Sequence, residues 1–292
     1  MFHIITDGSC DFTAEEIKQH NIERIPFYIT FDEKNYLKED IDISSDDYFN
    51  MLINDKSLHP KTSQPNPNDY AELYRPHLEA GKDILSLTIS SKMSGSYNSA
   101  SIAIDMLKEE YPKSSIILVD SANVSIGQDL ILREIIKMRD EGFTLAKTAR
   151  IAEEIKKTTR IYFTLDTLEY LKRGGRVGPT TALVGGILGL RPILQVENGE
   201  VSQLDNVRGK KKALKLIEAG MVEAIKDDLD HINISIGHIL NQEEATLFKT
   251  NLEKTLNFNI SNPVASIGAA VGTHAGPGAI AFTYCKQYNS FI

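Results

Sequence analysis

The sequence predicts an α/β protein of two domains, the first built on a parallel sheet and the second an α+β unit with a mixed or antiparallel sheet. Three observations carry that prediction. Apolar runs of strand length alternate with segments of helical period through the first half of the chain. The alternation breaks down near residue 160. Beyond it, "QVENGEVSQL" has the pattern of an antiparallel hairpin turning at Asn198 and Gly199.

In chain order, residues 2–6 are predicted as a strand, 13–20 as a helix and 24–31 as a strand. Residues 69–80 follow as a helix, 83–89 as a strand, 94–110 as a helix, 115–120 as a strand and 126–140 as a helix. In the helix over 94–110, Tyr97, Ala100, Ile104 and Leu107 lie three or four apart. That spacing makes one apolar face, turns Ser96 and Asn98 outward and leaves Ser94 as the N-cap. A helix over 144–157 ends in the polar "KKTTR", which divides the chain into domains over 1–159 and 160–292. The second domain is expected to hold strands at 160–165 and 193–196, a helix at 210–226, a strand at 233–238, a helix at 243–256 and a strand at 279–284.

A chain of 292 residues with 41% hydrophobic content can bury real cores. Its net charge of -8 disfavours a general affinity for nucleic acid or anionic membrane, so an anion must be bound locally. Cys10 and Cys285 stand far apart without a CxxC partner, which excludes a zinc knuckle and a disulfide framework. The segment "MFHIITDGS" lacks the basic and apolar regions of a secretory signal, and the longest apolar run, 182–190, is too short to span a bilayer. A cytoplasmic location without stable membrane insertion is the expectation.

Three polar segments follow strands or precede helices in the first half: "DGSCDF" with Asp7 and Ser9, "KTSQPNPNDY" with Thr62 and Ser63, and "SSKMSGSY" with Ser94 and Gly95. Placed on one carboxyl edge of a parallel sheet, they would line a ligand crevice. Each alone reads as an ordinary cap or turn. His274 sits in "VGTHAGPGA", where Gly276 and Gly278 leave the imidazole accessible and could offer backbone N–H groups. "GPGAIA" matches a dinucleotide fingerprint, but too little chain follows it for a cofactor unit. Gly185, Gly186 and Gly189 in the apolar run suggest either a core helix or the wall of an apolar cavity. Arg176, Arg208 and Lys210 to Lys212 are basic residues in an acidic chain, read as solvated or as a docking patch.

Taken in order, "TDGSCDF", "TSQP", "SSKMSGSY", "EYLKRGGR", "RPIL" and "GTHAGPGA" resemble the DegV family, the fatty-acid-binding subunits of bacterial fatty acid kinase. The resemblance runs nearly end to end. It departs at Gly8, where the family usually has serine, at Ser96, where it has threonine, and at Ala281, where it has glycine. It implies a long-chain fatty acid such as palmitate in an apolar tunnel between the domains, with its carboxylate on Thr62 and Ser94 and His274 close by. Ser63, Gly95, Gly276 and Gly278 would support that site. It also implies no cofactor of the protein's own. A separate ATP-dependent kinase subunit would phosphorylate the ligand to an acyl phosphate, and since its active site must reach the buried carboxylate, Arg176, Arg208 and Lys210 to Lys212 are expected near the tunnel mouth to dock it.

The chemistry of the residues is compatible with that role. A single carboxylate is well met by hydroxyls and backbone N–H groups at a helix start, without a salt bridge. Burial of the tail contributes about 0.8 kcal/mol per methylene. The alternative is a self-sufficient α/β hydrolase or phosphotransferase with Ser94 as nucleophile and His274 as base. It needs a carboxylate to orient the histidine, for which Asp7 is the candidate. A nucleotide-binding regulator is disfavoured because no phosphate loop with a lysine is present.

Overall fold

The computed structural model describes residues 2–176 and 190–292. β1 (His3–Asp7) leads through α1 (Ala14–Gln19) to β2 (Glu23–Ile25), after which the chain makes an excursion through β3 (Tyr28–Thr30), β4 (Leu37–Lys38), α2 (Ser45–Asn54) and β5 (Lys61–Ser63). Alternation resumes with α3 (Pro67–Glu79), β6 (Ile84–Thr88), α4 (Ser96–Lys108), β7 (Ile116–Asp120), α5 (Ile126–Asp140) and α6 (Leu145–Thr158). There follow β8 (Arg160–Thr164), α7 (Glu169–Gly174), β9 (Leu190–Glu197), β10 (Glu200–Arg208), α8 (Lys210–Ile225) and β11 (Ile232–His238). The last elements are α9 (Gln242–Leu256), β12 (Val264–Ser266), α10 (Ala269–Ala275) and β13 (Ile280–Lys286).

Among the described residues three sheets are present. A parallel sheet has the order β2-β1-β6-β7, a mixed one the order β10-β9-β8-β13-β11-β12, and a small antiparallel one the order β4-β3-β5. In the parallel sheet the chain steps from β1 to β2 and then returns to β6 on the other side of β1. That reversal opens a crevice at the carboxyl ends of β1 and β6, where α/β sheets bind ligands. In the mixed sheet every pairing is antiparallel except that of β11 with β12.

α5 joins the two large sheets. Leu130, Ile131, Leu132 and Ile135 pack with Ile4 of β1 and with Leu85 and Leu87 of β6, while Ile126 packs with Ile161 and Phe163 of β8. α5 is enclosed on nearly every face, so that Gln128, Asp129, Glu134 and Arg139 are buried along with its aliphatic residues. Cys10 and Cys285 are buried free thiols in the same cluster as β1 and α5.

Several local expectations change. The strand expected over 24–31 is broken at Pro26, which has no N–H for a ladder, giving β2 and β3. β4, β5, α7, β12 and α10 are not predicted because they are short pieces with too few repeats for a period to register, whereas α2, with Tyr48, Phe49 and Leu52 on one face, carries a helical spacing that the prediction leaves out. The hairpin forms as expected, with Asn198 and Gly199 both at positive φ. α4 is capped by Gly95 and begins at Ser96, so Ser94 lies one residue before the cap. Ser96 does not face outward. Its side chain is fully buried, because the first turn of α4 abuts the end of β1. The apolar run at 182–190, with Gly185, Gly186 and Gly189, falls outside the described residues save for its last position.

Candidate functional site

Asp7, at the end of β1, organises the crevice. One carboxylate oxygen accepts the Ile89 N–H at 2.9 Å and the Ser96 hydroxyl at 2.7 Å. The other accepts the Gln128 side-chain amide at 3.0 Å and the Ser9 N–H at 3.3 Å. Burial raises the Asp7 pKa, and these four donors oppose the rise. Tyr70 Oη meets Ser96 Oγ at 2.6 Å, so α3, α4 and β1 are tied together at this point. The start of α4, and with it Ser94, is thereby held in place.

Ser94 donates its backbone N–H to the Ser90 carbonyl at 3.1 Å, and its hydroxyl oxygen accepts the Ser96 N–H at 3.2 Å. With the oxygen so engaged, the hydroxyl hydrogen is left to point elsewhere. Thr62 comes from a different place than expected. It lies on β5, paired with Ile29 of β3, and so belongs to the small antiparallel sheet and not to the carboxyl edge of the parallel one.

His274 lies in the last turn of α10, not in a turn between glycines. Three side chains from the first half of the chain accept the first N–H groups of that helix. Asp11 takes Gly268 at 2.9 Å, Ser45 takes Ala269 at 3.1 Å and Glu39 takes Ala270 at 2.8 Å. Farther along, Tyr48 Oη meets Thr273 Oγ1 at 2.6 Å. α10 is thus anchored at both ends to residues 11–48, and His274 Nε2 meets Thr62 Oγ1 at 2.9 Å.

Burial, and secondly the charge of Arg176, hold the His274 pKa down at about 4, so the ring is neutral at pH 7. Its Nδ1 is buried and has no hydrogen-bond partner among the described residues. We assign the proton to Nε2, since a stranded N–H at Nδ1 would be the costlier arrangement. Thr62 Oγ1 is then the acceptor, and the threonine hydroxyl hydrogen is free for a ligand.

Thr62, Ser94, His274 and Arg176 line one cavity, joined at its polar parts by Ser9, Gln64 and Ser125. The rest of its wall is apolar. Ile161 and Phe163 of β8, Val196 of β9, Val201 of β10 and Ala281 of β13 face it from the mixed sheet, and Phe27, Ile89, Met93 and Ile126 from the other side. Ala270, Val271 and Ala275 contribute a face of α10. Strand partners Ala281 with Phe163, Ile161 with Val196 and Val196 with Val201 form a continuous apolar path across four strands. The hairpin tip is fastened to the crevice by a Ser90 Oγ bond to the Gly199 carbonyl at 2.7 Å.

Other expected residues fall elsewhere. Gly276 and Gly278 do not offer their N–H groups to the cavity, since these donate to the carbonyls of Gly272 at 2.7 Å and Ile239 at 3.0 Å. Their sequence role is close approach: a Cβ on Gly276 would sit 2.3 Å from the Tyr170 ring, and one on Gly278 2.5 Å from the Asp166 carboxylate. Ser63 bonds the neighbouring Gln64 carbonyl at 3.4 Å and does not line the cavity. Gly95 admits Gln64, whose amide nitrogen would lie 2.9 Å from a Cβ there. Gln64, inside "TSQP", is a polar lining residue that local sequence pattern does not mark out, since an isolated glutamine before a proline carries no motif signal.

Arg176 does not stand off as a docking residue. It lines the cavity, with Nε donating to the Met93 carbonyl at 3.3 Å and a guanidinium nitrogen to the Gly174 carbonyl. Lys210 is engaged with Glu244 at 2.8 Å and Asp166 at 3.7 Å, which removes it from the expected basic patch. Arg208 is exposed at the end of β10 and away from the cavity lining. Asp7 has its four donors and does not orient His274, and the histidine bonds Thr62, not Ser94. The nucleophile, base and carboxylate relay required of a hydrolase is therefore not assembled from Ser94, His274 and Asp7.

Comparison with known proteins agrees with this fold. A family model described as "Uncharacterised protein, DegV family" matches residues 1–287. A DegV domain-containing protein of Clostridium acetobutylicum is 32% identical over 289 residues, covering 98% of each chain. The crystal structure of a stearic-acid-binding protein from Eubacterium ventriosum superposes with a TM-score of 0.93 at 28% identity, over 100% of both chains. DegV from Bacillus subtilis, described as a fatty-acid-binding protein, superposes with a TM-score of 0.86 at 26% identity, over 98% of this chain and 99% of its own. With the sequence match nearly end to end and the same fold, this chain belongs to the DegV family.

Proposed function

We propose that this protein binds a long-chain fatty acid, with the carboxylate at Thr62 and Ser94 and the tail along the apolar path over β13, β8, β9 and β10. The observation that carries the proposal is the polarity of the cavity: hydroxyls, an amide and a guanidinium share its lining with His274, and aliphatic and aromatic side chains line the remainder. Such a lining suits an amphiphile with one anionic end. Thr62, with its hydroxyl hydrogen released by His274, and Ser94 each donate to one carboxylate. Arg176 adds favourable charge, which replaces the expectation of a carboxylate held without a salt bridge.

The protein acts as a carrier, and a separate ATP-dependent kinase phosphorylates the carboxylate it presents. The position of the polar residues beside exposed Arg176 supports this, because a partner must reach the head group and not the tail. No helix among the described residues is long and apolar enough to cross a membrane. We place the protein in the cytoplasm, with the two-domain division at residue 160.

Native mass spectrometry of protein purified from bacteria tests the ligand class, with a discrete added mass of a fatty acid expected. Ser94→Ala and Thr62→Ala should each remove a charge-assisted hydrogen bond of roughly 1.5–3 kcal/mol, weakening palmitate binding about tenfold to hundredfold. The methyl ester should discriminate little between wild type and the double variant. Repeated absence of lipid with tight nucleotide binding, or a Ser94→Ala variant as tight as wild type, would overturn the assignment.

A further inference from the structure

At the end of the molecule remote from the cavity, the amino end of the parallel sheet carries a second convergence of side chains. His3 opens β1, Glu23 opens β2, and His77 lies in the last turn of α3. His77 Nε2 is 2.8 Å from Glu23 Oε1, and His3 Nε2 is 3.2 Å from the same oxygen. The two imidazoles stack with centroids 3.8 Å apart and planes 17° from parallel. One ligand atom from each residue lies within 4.8 Å of the others, and no other three His, Cys, Asp or Glu side chains do so among the described residues.

Nothing in the fold uses this arrangement fully. His3 is 6% exposed, yet its Nε2 has no hydrogen-bond partner among the described residues, while it points at the carboxylate that His77 already engages. A buried imidazole nitrogen left without a partner is a cost that a ligand there would remove. We propose that His3, Glu23 and His77 form a binding site for a divalent transition-metal ion of the zinc class, with the remaining position open to water.

The donor set decides the class of ion. Two imidazole nitrogens and one carboxylate oxygen suit zinc, cobalt and nickel, whereas magnesium and calcium require oxygen-rich shells. Glu23 supplies the negative charge of the site, which Lys82 and Arg139 offset in part, so imidazole coordination rather than charge alone must hold a bound ion. Metal–nitrogen bonds of about 2 Å require the rings to fan apart, because the lone pairs of parallel imidazoles run side by side. His77, with 13% of its side chain exposed against 7% for His3, is the ring that turns. The bound ion would clip β1, β2 and α3 together and raise thermal stability by mass action.

The test uses the untagged full chain, stripped of metal and titrated with Co2+. A one-to-one complex with the visible absorption of tetrahedral Co2+ is expected, reversed by Zn2+. In the wild-type protein, Zn2+ should shift the ring NMR signals of His3 and His77 and leave the other five of the seven histidines in place. His77→Ala and Glu23→Gln should weaken the complex by more than about tenfold, while palmitate binding is unchanged. Absence of a one-to-one Co2+ complex overturns the site. So does an undiminished absorption in His77→Ala, or Zn2+ acting on other histidines while those of His3 and His77 stay put.

Discussion

At the scale of single residues, the "GG" of "EYLKRGGR" separates two reasons for glycine. Gly175 has φ +65 and nothing near its missing Cβ, so it is there for the left-handed turn that ends α7. Gly174 is helical, and a Cβ there would lie 2.1 Å from His274 Nδ1. Helix propensity favours Gly174→Ala by about 1 kcal/mol, but an overlap of that depth must move the imidazole. The packing effect wins. Gly174→Ala should break the Nε2 contact with Thr62 and weaken palmitate binding about fivefold to tenfold, the worth of roughly one hydrogen bond. Calorimetry on the variant checks this, and unchanged affinity would mean that His274 does not orient Thr62. The motif was visible in the sequence, but its purpose was not, since Gly174 and His274 are a hundred positions apart in the chain.

At the scale of elements, α10 shows how a short helix is held by remote carboxylates. Burial pushes the Glu39 pKa from 4.5 to about 8, against the favourable Ala270 N–H. A carboxyl whose pKa is raised on folding binds more protons in the folded state than in the unfolded one between those two values. Stability therefore falls as pH rises from 4.5 to 8, in total by an amount on the order of several kcal/mol. Asp11, pushed from 3.8 to about 6, works in the same direction at lower pH. His274, lowered from 6.5 to about 4, works in the opposite direction and makes stability rise with pH across that interval. Well above pH 6.5 the imidazole no longer titrates, and the decline toward pH 8 is left to the buried carboxyls. Urea unfolding of Glu39→Gln at pH 6.5 and pH 8 should show a much shallower decline than wild type. An equally steep one would place the titration on Asp7 or Asp129, whose pKa values are also raised.

At the scale of the whole molecule, the cavity has walls from the parallel sheet's crevice, the small antiparallel sheet, the mixed sheet and α10. The kinase partner proposed above would approach the polar residues without entering the apolar path. Arg208, Lys211 and Lys212, exposed and with no ion pair among the described residues, are left for docking once Lys210 is paired and Arg176 is placed in the cavity. Arg208→Glu should abolish phosphorylation by the kinase partner and leave palmitate affinity as in wild type. Loss of both together would make Arg208 a structural residue.

The sequence by itself determined the parallel alternation, the helix α5 and the hairpin at Asn198 and Gly199, while the enclosure of α5 between two sheets came only with the packing. It also exposed the hydroxyl-rich segments around Thr62 and Ser94, because short-range chemistry of turns and helix starts is written in neighbouring residues. Only the tertiary structure decided that Ser96 turns inward to Asp7, that Thr62 arrives from a separate sheet, and that Asp11, Glu39 and Ser45 seat the helix bearing His274. Those decisions rest on contacts between residues tens to hundreds of positions apart. Local propensity carries no signal of them, since each depends on how whole elements pack.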